Sequence, residues 1–219
     1  MRIVPELQTP FPGLRVVELR MEGLEVKGTD PALESFKREL QNRVRQRFAS
    51  LTEVKDRPIF RAYRDFFWRV GIDPTKTRPA GEALTRRILG GKDLPTVNTL
   101  VDAYNIASVE SSVAIAAFDL DTIDDESLVM RRAIKGETFH GIGMVLPDSL
   151  TGVEVVIEDQ ESGKLVAVYP YRDSDDSKVT ERTKSVLFLM CGVPTIDETT
   201  LEGARNLTRE YVGRFCLRR

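Results

Sequence analysis

The pattern of apolar residues changes near residue 110, and this change limits the possible folds more than any other feature. Between residues 28 and 110 apolar side chains recur at steps of three and four, the spacing of helices that bury one face. After residue 110 they form short runs of strand length, at 113–120, 127–134, 152–159, 164–171 and 184–191. Helices followed by strands predict an α+β fold, in which N-terminal helices pack on a mixed, largely antiparallel sheet with a C-terminal helix.

Capping and turn residues predict where the elements begin and end. Asp30 and Pro31 open a helix whose apolar positions run from Leu33 to Leu51. Further helices are predicted over 58–70, 79–89, 96–108 and 198–215, a strand or bent pair over 15–26, and a hairpin turn at 160–163. We therefore expect residues 1–219 to form one domain with a basic helical half (about 28–110) and a β-rich half (about 111–219).

Composition excludes several classes of protein. Hydrophobic residues at 41% and charged residues at 30% are globular values, and no run of 18 uncharged apolar residues predicts a membrane span. The N-terminus lacks the apolar core of a signal peptide, so we expect a cytoplasmic protein. A single histidine, two cysteines outside any C-x-x-C pattern, and the absence of G-x-G-x-x-G and P-loop motifs predict neither a bound metal nor a nucleotide cofactor.

Charge is distributed unevenly along the chain. The net charge is −2, yet the segment from Lys37 to Lys92 holds 15 basic and 6 acidic residues, a balance of +9. This asymmetry predicts an anionic partner, because arginines along a helix can contact phosphates and an exposed indole can stack on a base. The alternative is a solvated basic face whose tryptophan packs under a neighbour. The candidate RNA contacts are Arg57, Arg61, Arg64, Trp68, Arg86 and Arg87.

Two further segments carry candidate chemistry. The loop at 171–185 concentrates polar groups that suit a polar ligand such as the terminal adenosine of an RNA, although a plain acidic turn remains an alternative. It lacks the glycine and closing glutamate of an EF-hand. His140, between Gly136 and Gly143, could act as a general base, and the flanking glycines could let a substrate approach the backbone. No Ser, Cys or Asp is arranged around His140, so a structural histidine is the alternative reading.

Three blocks between residues 94 and 188 resemble a known domain. Pro95 leads into a VD-x-x-N helix containing Asn105, and a strand ending in A-F-D at Asp119 follows. The segments VMRRAIKGETF at 129–139 and SKVTERTKSVLF at 177–188 continue the likeness in the same order. Together they resemble the tRNA-editing domain of the phenylalanyl-tRNA synthetase beta subunit. A chain of this length has no room for an aminoacylation core beside it, so we expect a stand-alone form.

The chain departs from that pattern where the family's editing chemistry lies. Ala116 stands where the family has a His, Tyr104 where it has a Thr and Leu189 where it has a Glu, while Asn105 is retained. The region of Asp173 replaces the family's Gly-Gly. The resemblance thus implies a pocket that takes a smaller or different aminoacyl group, or one that no longer hydrolyses it.

These observations leave three hypotheses for function. The first is a tRNA-binding protein that acts in trans as an aminoacyl-tRNA deacylase, without cofactors, with His140 in proton transfer. The second is a non-catalytic tRNA-binding module, and the third a hydrolase or sensor of a small amino-acid derivative without RNA. Whether the chain forms a homo-oligomer stays open. The candidate substrate-binding residues are Tyr104, Asn105, Ala116, Asp119, Arg172, Asp173 and Thr180.

Overall fold

A computed structural model describes residues 1–217, and its elements follow the predicted order of helices, strands and a long final helix. In chain order the elements are β1 (Arg2–Ile3), α1 (Pro5–Gln8), β2 (Arg15–Met21), α2 (Pro31–Arg47), α3 (Leu51–Asp56), α4 (Pro58–Arg69), α5 (Ala80–Leu89), α6 (Thr99–Ser111), β3 (Ala114–Asp119), β4 (Leu128–Arg132), β5 (Thr138–Phe139), β6 (Asp148–Ser149), β7 (Val155–Asp159), β8 (Lys164–Val168), β9 (Arg172–Asp173), β10 (Val186–Gly192) and α7 (Glu198–Cys216). No helix within residues 1–217 is long and apolar enough to cross a membrane.

Side-chain caps fix the start of the three longest helices. The Asp30 carboxylate accepts hydrogen bonds from two backbone N–H groups in the first turn of α2, at 2.8 and 3.1 Å. Asn98 and Asp197 each accept one bond from the first turn of α6 and α7, at 2.9 and 2.7 Å. These bonds satisfy N–H groups that have no partner within a helix, so a polar residue ahead of an apolar stripe sets each boundary.

The largest differences from the predicted helix boundaries are at the end of the first helix and at both ends of α6, which ends at Ser111 rather than near residue 108. The first helix ends at Arg47 rather than continuing to Leu51, because Ser50 begins a new helix by accepting a bond from the Glu53 N–H at 3.3 Å. The Glu53 carboxylate accepts a second bond from the Ala49 N–H at 2.9 Å. Helix α6 begins at Thr99 rather than near residue 96, since Asn98 serves as its cap.

The strands form a three-stranded sheet in the order β2-β10-β3, a five-stranded sheet in the order β1-β4-β7-β8-β9, and a small β5-β6 pair. Only the short β1–β4 pairing is parallel among the strand pairs of residues 1–217. The predicted α+β class with largely antiparallel pairing is therefore confirmed. The expected hairpin at 160–163 joins β7 to β8.

The core lies between the helices and the two larger sheets. Every residue of β3 and β10 is buried, because β10 is the central strand of its sheet and helices α6 and α7 pack over this sheet. Strand β3 also contacts β9, the last strand of the five-stranded sheet. The two sheets thus meet along β3, and this junction positions the candidate site.

A buried ion pair fixes α2 against α6. The Lys37 ammonium is buried and donates to the Asp102 carboxylate at 2.8 Å, to the Glu34 carboxylate at 2.8 Å and to two oxygens of the segment before α6. Burial raises the pKa of Asp102, while the hydrogen bond from Lys37 acts in the opposite direction. Asp102, the acidic residue of the VD-x-x-N helix, therefore has a structural role.

Candidate functional site

A cavity of about 170 Å³ lies where α6, β3 and the segment after β8 come together. Its walls are made by the start of α5, by α6, by the first half of β3, and by residues of the β7–β9 region and β10. The residues that line it are Ala80, Tyr104, Asn105, Ala114, Ile115, Ala116, Ile157, Ala167, Val168, Tyr169, Pro170, Tyr171, Arg172, Asp173 and Cys191. Five of the seven candidate substrate-binding residues are in this set, so the structure brings most of them together.

Helix α6 presents Tyr104 and Asn105 to the cavity as consecutive residues. Asn105 is half-buried, and its side chain makes no hydrogen bond with any residue of the described part of the chain. The Tyr104 ring packs edge-on against Phe188, with 5.9 Å between ring centroids. Burial raises the pKa of Tyr104 well above its usual value, and the nearby Asp173 adds to this rise, so its hydroxyl stays protonated. The cavity therefore offers a free amide beside an aromatic wall.

The carboxyl of Asp173 is the ionisable group of this cavity that titrates near neutral pH. It accepts one hydrogen bond, from the Ala117 backbone N–H to Oδ2 at 3.2 Å. Burial raises the pKa of Asp173 to about 7, and the bond from Ala117 compensates only in part. At physiological pH the protonated and ionised forms are thus both populated.

Arg172 lines the same cavity, but its guanidinium is engaged elsewhere. It donates to the Ile142 carbonyl oxygen at 3.0 Å and lies over the Tyr171 ring, 4.9 Å from the centroid. Its aliphatic stem packs against Gly141 so closely that any side chain there would collide with Arg172 and Phe139. Gly141 therefore accommodates the Arg172 side chain, whereas a Cβ at Gly136 or Gly143 would have open space around it.

His140 lies outside the cavity. Its Nε2 is 3.0 Å from the Met144 carbonyl oxygen, and the residue borders a separate groove shared with Glu137 and Asp176. The lining of the cavity does not include His140. His140 and Asn105 therefore line different concave surfaces of the described chain.

Asp119 and Thr180 belong to a hydrogen-bonded turn rather than to the cavity. The buried Asp119 carboxylate accepts from the Thr183 hydroxyl at 2.6 Å, and that hydroxyl accepts from the Thr180 N–H at 2.8 Å. Other polar groups of the 171–185 loop are used in the same way, as when Ser174 caps the short 3-10 turn at Asp175–Ser177. Most of this loop's polar side chains therefore support its own conformation.

The two largest departures from the family's pattern lie opposite each other in one sheet. Ala116 on β3 and Leu189 on β10 are direct partners in the antiparallel register. Directly opposite residues of such a pair project to the same face. The pair that the resemblance aligns with the family's His and Glu is therefore apolar here, with Ala116 lining the cavity and Leu189 fully buried.

Three of the six candidate RNA contacts support the fold. Glu82 is fully buried, and its carboxylate receives Arg64 at 3.2 Å and Arg86 at 4.0 Å. Arg57 lies over the Phe48 ring at 4.9 Å. Removing a partner of the buried Glu82 would leave its charge poorly compensated, so Arg64 and Arg86 are not part of a free basic surface, and Arg57 is held by Phe48 and by Glu53.

The remaining three candidates are exposed. Arg61 carries an exposed ion pair with Asp56 at 3.5 Å, and the Arg87 Nε donates to the Asp93 carbonyl oxygen at 2.5 Å. Trp68 is 57% exposed, so no neighbouring element of residues 1–217 covers it. An exposed indole beside arginines remains compatible with base stacking.

A known family matches the part of the chain that forms the cavity. Residues 62–210, which include α6, β3 and the cavity-lining segment 167–173, match the model of the B3/4 domain. The chain belongs to the B3/4 domain family. It is 32% identical over 97 residues to the phenylalanine–tRNA ligase beta subunit of Protochlamydia amoebophila, and 29% identical over 122 residues to that of Symbiobacterium thermophilum.

These matches cover only part of each protein. They include 43% and 54% of this chain but only 11% and 13% of the two beta subunits. An N-terminal fragment of the phenylalanyl-tRNA synthetase beta subunit from Pyrococcus horikoshii shares the fold, with a TM-score of 0.52 and 16% identity over 99% of this chain and 49% of that one. The resemblance to a phenylalanyl-tRNA synthetase beta-like domain is thus confirmed for the fold and the family.

Sequence reasoning did not find the deep wall of the cavity. Tyr169 reaches across to the three-stranded sheet, where its hydroxyl donates to the Gly192 carbonyl oxygen at 2.9 Å. Cys191 lies beside it, and burial followed by the charge of Asp173 raises the pKa of the thiol. A short apolar run such as VLFLMC does not indicate which of its residues will face a cavity.

Proposed function

We propose that this protein binds tRNA and acts in trans as an aminoacyl-tRNA deacylase, a carboxylic ester hydrolase that removes an amino acid from the 3′ end of a tRNA. The observation that carries the proposal is the cavity in which the matched family residue Asn105 has a free amide. In this reading the cavity receives the aminoacyl group and the terminal ribose. The similarity to tRNA ligase beta subunits supports tRNA as the source of that group.

Ester cleavage at this cavity would depend on positioning rather than on a strong base. The Asn105 amide would hold the aminoacyl or ribose end, and backbone N–H groups and the RNA's own hydroxyl would orient a water at the ester carbonyl. Arg172 stays a candidate for a phosphate contact. His140 lies outside the cavity lining, so we give it no step.

The shape of the cavity favours a small aminoacyl group. The Tyr104 ring fills space beside Asn105, and the Ala116–Leu189 pair offers no hydrogen bond to a phenolic hydroxyl. A site that cannot pair a polar group of the ligand discriminates against it. We therefore expect small aliphatic or small polar aminoacyl esters to be better substrates than tyrosyl esters.

The test is a deacylation screen of the purified protein against correctly and wrongly charged tRNAs. We expect release of a small amino acid from at least one tRNA, and loss of that activity in Asn105→Ala with an unchanged melting temperature. Asn206→Ala, at an exposed position of α7, is the matched control. Full activity of Asn105→Ala would contradict the assigned role, and inactivity on every charged tRNA would contradict the deacylase.

Binding to tRNA is tested on the exposed residues only. Arg61→Ala, Arg87→Ala and Trp68→Ala should each weaken binding without loss of stability, and each arginine that contacts a phosphate should reduce the salt slope by about one. Arg64→Ala is unsuitable because it removes the nearer partner of the buried Glu82 carboxylate and leaves only Arg86, at 4.0 Å. An unchanged slope of tRNA affinity against salt concentration in the two arginine variants would contradict tRNA binding at these exposed residues.

A second function is favoured by a specific observation. Arg57, Arg64 and Arg86 have partners inside the protein. The set of six candidate RNA contacts therefore offers fewer free phosphate contacts than the sequence indicates. This favours a hydrolase or sensor of a small amino-acid derivative that does not bind RNA. Hydrolysis of a small aminoacyl ester together with no measurable tRNA affinity would identify this second function, while tight tRNA binding without hydrolysis would identify a non-catalytic tRNA-binding module.

A further inference from the structure

The Asp173 carboxyl has no cationic partner in the described part of the chain. Its one hydrogen bond is the Ala117 N–H to Oδ2, and no lysine, arginine or histidine forms an ion pair with it. The adjacent Arg172 is directed to the Ile142 carbonyl oxygen and the Tyr171 ring. Asp173 is half-buried and lines the cavity, so its carboxylate loses part of its hydration without gaining a paired charge, which is unfavourable. Oδ1 therefore has no protein donor and is free to accept one from a ligand.

Two of the ionisable groups around this carboxyl are neutral, and the cationic Arg172 makes its hydrogen bond to the Ile142 carbonyl oxygen rather than to Asp173. Tyr104 from α6 and Cys191 from β10 face the same cavity, and burial raises the pKa of each so that both are neutral at physiological pH. The rest of the wall is apolar or aromatic apart from the Asn105 amide and Arg172. The Asp173 carboxyl is therefore the acidic group in the lining of this cavity of about 170 Å³, and its one cationic neighbour, Arg172, is not paired with it.

We propose that Asp173 recognises the primary ammonium group of the bound ligand, which makes the α-amino group of an aminoacyl moiety, with a small side chain, the chemical class that this cavity selects. The inference rests on the proposed function, which identifies this cavity as the ligand site. It adds the chemical group of the ligand that the cavity recognises. An ammonium donates up to three hydrogen bonds, so one can reach Oδ1 while others reach the Asn105 amide oxygen. N-acylated ligands would place a neutral amide against the carboxylate and would bind less well.

The chemistry of the cavity favours an ammonium over a metal ion. A divalent cation requires several oxygen, nitrogen or sulfur ligands, and no cluster of three or more His, Cys, Asp or Glu suited to a metal occurs in the described residues. A monovalent organic cation needs one carboxylate and a few neutral acceptors, which is what the walls provide. The small volume further restricts the group attached to the ammonium.

Proton linkage provides a signature of this role. Burial raises the pKa of Asp173 to about 7, and an α-amino group has a pKa of about 8, so the productive pair of charges is most populated between these values. Affinity should therefore rise with pH through about 7 and fall above about 8. Ligand binding below pH 7 should release a proton from Asp173. A merely structural carboxylate would show neither effect.

The experiment compares the binding of two small analogues, L-alaninamide and L-lactamide, to the full chain without RNA. The two are nearly equal in size, and alaninamide carries an ammonium group where lactamide carries a hydroxyl. The Ala117 backbone N–H is a direct NMR reporter, because it donates to the Asp173 carboxylate. We expect alaninamide to shift this resonance and to bind at least about tenfold more tightly than lactamide near pH 7.5, the effect of about one charge-assisted hydrogen bond. Asp173→Asn should remove the preference and the rise of affinity through pH 7.

Asp173→Asn is a suitable variant because the asparagine Oδ1 can still accept the Ala117 N–H. Asp176→Asn, an exposed position on the same loop, is the matched control and should keep the preference. Equal binding of the two analogues, an unchanged preference in Asp173→Asn, or no shift of Ala117 up to the solubility limit of alaninamide would each overturn the proposal. A preference for alaninamide in a protein that deacylates no tRNA would support ammonium recognition and contradict the proposed function. Equal hydrolysis of free and N-acetylated aminoacyl-tRNA would support the proposed function and contradict ammonium recognition.

Discussion

Replacing Asp173 with Asn should stabilise the protein at alkaline pH and leave it unchanged at acidic pH. The pKa of Asp173 rises from 3.8 to about 7 because the carboxyl is buried beside an apolar wall. Near pH 4 the side chain is protonated in the folded state and about half protonated in the unfolded state. Between about pH 4 and 7 the unfolded chain ionises while the folded protein keeps its proton, so the folded state loses stability as the pH rises.

The size of the effect follows from the same two values. Each unit of pKa corresponds to about 1.4 kcal/mol, so a rise from 3.8 to about 7 gives a ceiling of about 4 kcal/mol above pH 7. Asp173 is half-buried and borders a cavity that water can enter, so solvent screening reduces this penalty. We expect Asp173→Asn to be more stable than the wild type by about 1–2 kcal/mol near pH 8, and equal to it near pH 4.

Urea denaturation at both pH values measures this difference, with equal m-values required for the comparison. Asp176→Asn should change the free energy of unfolding equally at the two pH values, since its carboxyl is exposed on the same loop. The Ala117 N–H resonance should titrate with a midpoint near pH 7 in the wild type and not in Asp173→Asn. A pH-independent difference between variant and wild type, or a wild type that is more stable near pH 8, would refute the reasoning.

Three other substitutions test separate parts of the structure. Lys37→Met leaves the buried Asp102 carboxylate without its ion pair, so denaturation should show a loss of about 3–5 kcal/mol, and a loss below about 1 kcal/mol would show that the pair is dispensable. Asp159 is buried, which alone would raise its pKa, but hydrogen-bond donors including Ser127 and Ser162 lower the pKa to about 2. The stability that Asp159 contributes is therefore present above about pH 4 and is lost as the pH falls through 2. Asp159→Asn should flatten the acid limb of the profile of melting temperature against pH. Tyr104→Ala opens the wall of the cavity and should raise the rate for large relative to small aminoacyl esters by about tenfold or more, whereas an unchanged ratio in the deacylation assay would separate this ring from specificity.

Much of the fold could be predicted from the sequence because its determinants are local. The apolar spacing gave the helices, and capping residues such as Asp30 place a boundary within a few residues. The missed boundary at Leu51 depended on Ser50 and Glu53, a capping pair inside an otherwise continuous apolar stripe. The division of the strands into two larger sheets is set by distant pairings such as β2 with β10, which no local pattern reveals.

The site was predicted less completely, and the reason differs between its parts. Tyr104, Asn105 and Ala116 were found because a family resemblance supplied their positions, and the structure places all three along one cavity. The sequence could not show which of the candidate RNA-binding arginines are free, because helical spacing shows which residues share a face but not what a neighbouring helix places against them. Glu82 on α5 takes up Arg64 and Arg86, and only the packing of the helices reveals that contact.

The loop at 171–185 shows how a binding group can be separated from polar residues that only support the fold. Its hydroxyls and carboxylates looked equivalent in the sequence, but Ser174, Thr180 and Thr183 have their hydrogen bonds satisfied within the loop and its neighbours. Asp173 differs, because it meets a single backbone N–H and lines a cavity that holds no paired charge. A partly desolvated carboxylate without a paired charge lowers stability, and a ligand that carries a positive charge would offset this cost. The proposal for Asp173 therefore rests on its lack of a paired charge at the cavity, and the polar density of the loop does not carry it.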